Sequence, residues 1–241
     1  MSTLITLCAR GGSKGIPGKN IKPIAGNPLI FYSARLAKQY QESNPDVDIV
    51  LSTDADEIKT VVNSFGFNID TNYTRPTDLA SDKAGKIGAI NDTLLYSERV
   101  HKKKYDFILD LDITSPLRNQ EDIQGAFSLL LENHDAYNIF SVSPANRNPY
   151  FNMVEENANG FFSLCKQGTF LSRQTAPKVY DMNASFYFYR RSFFEKGFAT
   201  VFTEKTLVYE VPHLCFDLDH PIDFEFMSFL LTSGKLDFDF R

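Results

Sequence analysis

The sequence predicts an α/β fold with three layers around a mostly parallel sheet. Two observations carry this reading. Short apolar runs alternate with stretches of helical periodicity from Leu4 to Val142, and the most glycine- and lysine-rich loop of the chain follows directly on the first apolar run. In such sheets ligands collect at the carboxyl ends of the strands. A chain of 241 residues, 43% hydrophobic with 22 phenylalanines, fits one domain with a large core.

Leu4–Ala9 is a buried strand. Leu29, Ser33, Leu36, Ala37 and Tyr40 mark one face of a helix, and Ile49-Val50-Leu51 a second strand. Asp54 is expected to cap the next helix, with Glu57 completing the box and Ile58, Val61, Val62 and Phe65 facing inward. Ile87, Ile90, Leu94 and Leu95 define another helical face. Phe107–Leu111 is a strand, and Asn119 caps a helix carrying Ile123, Ala126, Phe127, Leu130 and Leu131 inward. Ile139–Val142 closes the regular rhythm. Tyr150 to Leu164 then reads as an aromatic hairpin turning at Asn157-Ala158-Asn159-Gly160, which needs something to pack against; a dimer arm is expected. Asn183–Tyr189 and Leu207–Val211 return as strands, Ile222–Leu231 is a final helix, and Leu236 to Arg241 reads as a mobile or edge tail.

Composition narrows the function. A net charge of −5 implies no broad basic surface, so nucleic acid is not expected as a partner. Cys8, Cys165 and Cys215 are too scattered for a disulfide framework, which points to a reducing cytoplasm. The N-terminus shows no leader pattern and no run is long enough to span a membrane. His101, His134, His213 and His220 lack ligand spacing and are expected at the surface or hydrogen-bonded, and Lys102-Lys103-Lys104 reads as a solvated helix end.

The loop Ala9-Arg10-Gly11-Gly12-Ser13-Lys14-Gly15-Ile16-Pro17-Gly18-Lys19-Asn20-Ile21-Lys22 holds four cations and four glycines, and the chain has no acid before Glu42. Glycines let backbone amides approach a ligand, and an arginine grips a phosphate through two parallel hydrogen bonds, so a polyphosphate is the expected ligand. The loop is not a P-loop, because Asn20 follows Lys19 and Ser13 stands where the leading glycine belongs. Nor is it a dinucleotide fingerprint, because Gly12, Gly15 and Gly18 are evenly spaced. Three later segments carry chemistry: Arg75–Asp82, Asp110–Arg118 and Phe216–Phe224. Both Asp110-Leu111-Asp112 and Asp217-Leu218-Asp219 put two carboxylates on one side of an extended segment, a geometry that can hold Mg2+ against phosphate oxygens.

With these segments in order, the chain resembles the acylneuraminate cytidylyltransferases, the CMP-sialic acid synthetases and their bacterial relatives acting on legionaminic or pseudaminic acid. The glycine loop is similar to the family's nucleotide loop, Arg75-Pro76 with Leu79-Ala80 and Asp82 to its second nucleotide segment, and Thr114-Ser115-Pro116-Leu117-Arg118 to its central signature. Arg173-Gln174, Pro177 and Asn183 resemble the sugar-side segment, and Asp217/Asp219 the metal pair. The resemblance implies a nucleotide-diphospho-sugar transferase-like fold over residues 1–241, with a sugar-side and dimerisation insertion at about 147–182. It implies CTP and a nine-carbon sugar acid as substrates, Mg2+ as cofactor, and a homodimer. The resemblance places Ala9, Arg10, Gly11, Gly12, Ser13, Lys14, Lys19, Asn20, Arg75, Ala80, Asp82 and Lys86 at the nucleotide, with Arg10, Lys14 and Lys19 offsetting charge on the leaving pyrophosphate. Asp112, Thr114, Ser115, Arg118, Arg173, Gln174, Asn183 and Tyr187 fall at the sugar, and Asp217 and Asp219 at the metal. The chain departs from the family where Asp112-Ile113 replaces Gln-Pro, where Lys83 and Lys86 replace small polar residues, and where Ala184 replaces glycine. Two opposite charges on segments bordering one cleft lead to the expectation that Lys86 and Asp112 pair; the alternative sends Lys86 to a phosphate and Asp112 to the metal. Two rivals remain: activation of another sugar acid such as Kdo, and a non-catalytic nucleotide-binding module.

Overall fold

The computed structural model describes residues 1–12, 15–81 and 84–240. The chain runs β1 (Thr3–Cys8), β2 (Pro23–Ile24), β3 (Asn27–Pro28), α1 (Leu29–Ser43), β4 (Val47–Ser52), α2 (Asp56–Asn63), α3 (Lys86–His101), β5 (Phe107–Leu111), α4 (Gln120–Glu132), β6 (Asn138–Pro144), β7 (Val154–Glu156), β8 (Phe162–Leu164), β9 (Tyr180–Arg190), α5 (Arg191–Glu195), β10 (Thr206–Glu210) and α6 (Pro221–Ser233). Six strands form the central sheet in the order β10-β6-β9-β5-β1-β4. All neighbours are parallel except β9, which runs antiparallel to both β5 and β6.

Side-chain alternation along the strands builds a core on each face of the sheet. Ile5, Leu7, Leu109 and Leu111 pack on one side with α1, α2, α4 and α6, while Leu4, Ile108 and Tyr189 pack on the other with α3 and α5. Strands buried on both faces explain the continuous apolar runs in the sequence. The capping box expected at Asn119 is present: its side chain accepts from the Asp122 amide, and Asp122 returns the bond to the Asn119 amide at 2.9 Å.

Four sequence expectations need correction. Asp54 does not cap α2, which starts after Ala55 without a side-chain cap; its carboxylate is engaged by the glycine loop instead. Leu95 is half exposed, because the inward stripe of α3 runs through Ala89, Ile90, Thr93, Leu94 and Ser97. The tail is not loose: Leu236, Phe238 and Phe240 pack against the core and Arg35 donates to the Phe240 carbonyl at 2.7 Å. At the lysine run, Lys103 pairs with Asp46 and Asp48 at 2.7 Å each rather than standing free in solvent.

The hairpin is real, with β7 and β8 antiparallel. Its apolar side chains find little within the chain: Phe161 is 73% and Phe162 67% exposed, and Leu171 beyond it is 97% exposed. None of the helices is long and apolar enough to cross a membrane, among the described residues.

Candidate functional site

A cleft of about 410 Å3 opens at the carboxyl ends of β1, β4 and β5. It is lined by Arg10, Gly15, Lys19 and Asn20 from the glycine loop, by Arg75, Leu79 and Ser81, by Lys86 at the start of α3, by Asp112 and Thr114, and by Asp219. Ala9, at the loop's base, is buried and donates to the Ser52 carbonyl at 2.9 Å, which fixes where the loop leaves the sheet. Asn20 is buried and ties the loop back on itself, donating to the Arg10 carbonyl at 2.9 Å. Lys19 donates to the Leu218 carbonyl, and a Cβ added at Gly15 would lie 2.7 Å from the Asp219 carbonyl oxygen. Glycine is thus required at 15 because the loop crosses directly over the Asp217–Asp219 segment. Arg10 reaches toward the Ala80 carbonyl at 3.5 Å. Ser13, Lys14, Asp82 and Lys83 lie outside the described residues.

The end of β4 organises the opposite wall. Arg75 is buried, with its Nε donating to Ser52 Oγ at 3.1 Å and Nη2 to the Ser52 carbonyl at 2.8 Å. Two residues on, Asp54 Oδ1 accepts the Gly11 amide at 2.8 Å. No local pattern signals this second contact, because a carboxylate three residues before Glu57 reads locally as a cap.

Asp217 and Asp219 face away from the core because Leu218 between them is fully buried and donates its amide to the Thr114 carbonyl at 3.0 Å. Burial, followed by the like charge of Asp219, pushes the Asp217 carboxyl above its usual range. Neither aspartate forms an ion pair with a described residue. Among the described residues no cluster of three metal-ligating side chains exists. Two carboxylates of this kind are hard oxygen donors of the type a divalent cation takes.

Lys86 and Asp112 meet as expected, Nζ to Oδ2 at 2.6 Å, and Asp110 Oδ2 joins them at 2.6 Å from the same ammonium. Burial opposes the charge on Lys86, but the two carboxylates outweigh it and hold the pKa well above the ordinary lysine value. For Asp112, too, the lysine overcomes burial and lowers the carboxyl. Tyr187 closes the far side, its ring centroid 5.1 Å from Lys86 Nζ. Lys86 thus lines the cleft expected to take the nucleotide, with its ammonium engaged by the two carboxylates.

Several residues expected at the sugar have scaffold geometry. Arg118 is buried, donating from Nη1 to the Ser115 and Ser185 carbonyls and from Nη2 to Ser33 Oγ and the Asp112 carbonyl, at 2.5 to 3.0 Å. Burial lowers its pKa to about 10. It fixes the Asp112–Arg118 turn without exposing a donor face to the cleft. Ser115 is buried and donates to the Phe216 carbonyl, and Asn183 is buried between Ser141 and Ser143. Ala184 next to it has φ +56°, the left-handed conformation that explains glycine at this position in the family it resembles. Arg173 and Gln174 line a separate cavity of about 370 Å3 with Asn148, Lys178 and Tyr180, and so are not brought into the cleft within one chain.

A profile described as cytidylyltransferase matches residues 4–229. The chain is 40% identical over 234 residues to the CMP-N,N'-diacetyllegionaminic acid synthase of Campylobacter jejuni, covering 97% of this chain and 96% of the relative. It is 39% identical, with the same coverages, to post-translational flagellin modification protein B of Campylobacter coli. A pseudaminic acid cytidylyltransferase of Campylobacter jejuni is 30% identical, covering 95% of this chain and 96% of that one. In solved structures, the fold matches CMP:2-keto-3-deoxy-manno-octonic acid synthetase complexed with CTP at TM-score 0.66 and 17% identity, covering 97% of this chain and all of the other.

Proposed function

Because the chain belongs to the cytidylyltransferase family and is a nucleotidyltransferase, we propose that it transfers CMP from CTP to the anomeric hydroxyl of a nine-carbon, sialic-acid-like sugar acid. The observation that carries this reading is the crossing of the glycine loop over the Asp217–Asp219 segment within one cleft. Arg10 and Lys19, cations for a triphosphate, share that space with Asp219, and Asp217 lies two residues before it on the same segment. The hydroxyl oxygen bonds to the α-phosphorus, the α–β anhydride bond breaks, pyrophosphate leaves, and the hydroxyl proton passes to solvent.

Transfer of this kind asks for positioning and charge stabilisation rather than a covalent nucleophile. Arg10 and Lys19, with Lys14, offset charge on the pyrophosphate as it departs. Arg75, locked by Ser52, forms the nucleotide wall, Ala80 joins it through the contact of its carbonyl with Arg10, and Asp112 and Thr114 form the floor toward the sugar. Asp217 and Asp219 are the groups that would hold Mg2+, which supplies Lewis-acid polarisation of the phosphate. The exposed aromatics of the hairpin support a homodimer, in which Arg173 and Gln174 serve the sugar side of a neighbouring cleft. The three cysteines, all free, support a cytoplasmic setting.

The test is pyrophosphate release from CTP with a panel of sugar acids, N,N'-diacetyllegionaminic acid first, then pseudaminic, N-acetylneuraminic and Kdo. Release that depends on a nonulosonic acid is expected. Release with Kdo alone, or CTP binding without release for any acid, overturns the reading.

A further inference from the structure

The chain carries two carboxylate pairs of the same spacing at the cleft, and they are treated differently. At the end of β5, fully buried Leu111 turns Asp110 and Asp112 to the same side. One oxygen of each is committed to the protein: Asp110 Oδ1 accepts from Thr6 Oγ1 at 2.7 Å, and Asp112 Oδ1 accepts the Thr114 amide and hydroxyl at 2.8 Å each. The other oxygen of each, Oδ2, points at one cation, Lys86 Nζ, at 2.6 Å in both cases. The Asp112 backbone is pinned as well, its carbonyl accepting from Ser33 Oγ at 2.9 Å and from Arg118 at 3.0 Å. Asp217 and Asp219 are bridged by no such ammonium among the described residues, although the charge of Lys19 acts on Asp217.

We propose that Lys86 is a tethered cation occupying the position between Asp110 and Asp112 that would otherwise recruit a divalent ion, so that metal is confined to Asp217 and Asp219. Two carboxylate oxygens converging on one positive centre is the arrangement a hard cation seeks. An ammonium held there donates to Asp112 Oδ2 and stands in charge contact with Asp110 Oδ2, which has no hydrogen-bond partner of its own among the described residues, without demanding octahedral geometry or releasing with product. Asp112, the member of the trio that lines the cleft with Lys86, is held as a fixed hydrogen-bond acceptor for the incoming sugar. Lys86 is a positioning residue in this scheme, acting through Asp112. The inference rests on the proposed function for the metal at Asp217 and Asp219, and it extends that reading to where metal does not go.

The experiment counts bound Mn2+ per chain by electron paramagnetic resonance on the full protein, saturated with a CTP analogue whose α–β bridge cannot be cleaved. Lys86→Met is expected to bind one more Mn2+ per chain than the parent, and Lys86→Met/Asp112→Asn to return to the parent number. Asp112→Asn with Lys86 intact is expected to keep the parent number. Equal numbers in the parent and Lys86→Met, or loss of Mn2+ in Asp112→Asn alone, overturn the proposal. Circular dichroism establishes that each variant is folded; should Lys86→Met not fold, Lys86→Gln, which also removes the charge but keeps a polar side chain, takes its place with the same expected gain of one Mn2+, and an unchanged count in it overturns the proposal. The count needs no turnover, so a parent that fails to consume CTP refutes the proposed function and not this assignment.

Discussion

The carboxylate of Asp54 accepts the backbone amide of Gly11 at 2.8 Å, joining the end of β4 to the glycine loop across 43 residues of sequence. The approach is close: a Cβ on Gly11 would stand 2.9 Å from that of Ala55. Two walls of the cleft thus share one origin, since Ser52 holds Arg75 and Asp54 holds the loop.

Removing that acceptor should loosen the loop without touching the metal side. Asp54→Ala is expected to raise KM for CTP by about three- to tenfold, the range of one net hydrogen bond, while KM for the sugar acid changes little. Asp54→Asn keeps an acceptor oxygen and should recover most of the loss. Initial-rate kinetics with each substrate varied in turn reads the split; a purely structural role would instead lower the melting temperature and leave both KM values alone.

Asp217 and Asp219 should behave as a unit. Asp217→Ala or Asp219→Ala is expected to lower kcat by about three orders of magnitude, given a metal contribution of several kcal/mol. Circular dichroism should stay native, because Leu218 and not the aspartates packs the core. Gly15→Ala, which drives a methyl against the Asp219 carbonyl, should also impair turnover. Near-parental rates with Mg2+ present in both aspartate variants would remove the pair from the metal site.

The contact between Lys86 and Asp112 predicts non-additivity in a double-mutant cycle. Lys86→Met strands two carboxylates and Asp112→Asn leaves the lysine to Asp110 alone, so each single change should exceed its share of the double. Coupling of roughly 0.5–3 kcal/mol in kcat/KM for the sugar acid is expected. Strictly additive losses would mean the pair has no bearing on the reaction.

The hairpin predicts assembly. An isolated two-stranded ribbon is marginal in water, and Phe161 and Phe162 bury little against their own chain. The parent is expected to sediment as a dimer. Deleting Phe151 to Leu164 and rejoining with a short turn should give monomers with a raised KM for the sugar acid and a largely unchanged one for CTP. A parent that sediments as a monomer at working concentrations contradicts this.

What the sequence made legible was what depends on local pattern. Strands and helices followed from apolar periodicity, the α4 cap from Asn119 and Asp122, and the cleft's position from a glycine loop after the first strand. The pairing of Lys86 with Asp112 was legible because two unusual charges of opposite sign fell on cleft-bordering segments; the entry of Asp110 was not, since its partner lies on another element. Asp54 misled because a cap and a long-range acceptor look alike in sequence. The packing of Arg118 was not legible, because a signature arginine next to a sugar segment does not disclose that its Nη1 and Nη2 donate to Ser33, Ser115, Ser185 and the Asp112 carbonyl. The tail was misread because its phenylalanines alternate with aspartates, a pattern that fits an exposed edge as well as it fits packing on one side.

That tail supplies the pH prediction. His213 stacks on Phe238 at 3.5 Å between ring centroids, and its Nε2 lies 2.9 Å from Asp122 Oδ2, the same oxygen that accepts the Asn119 amide at the start of α4. Asp237 lies close as well, accepting the Leu214 amide. Burial opposes the imidazolium, but the Asp122 hydrogen bond and charge outweigh it and raise the His213 pKa above the ordinary 6.5. A group raised on folding binds its proton more tightly in the native state, so its contribution is complete below about 6.5 and is lost as pH climbs through the raised native value. The melting temperature should therefore fall across that window, each kcal/mol lost costing roughly 2–4 °C in a chain of this size. His213→Gln retains a hydrogen-bonding side chain but cannot titrate, and should flatten the slope while starting lower at acidic pH. Thermal melts of parent and variant between about pH 6 and 9 provide the check; identical slopes would show that the imidazolium contributes nothing to holding the tail.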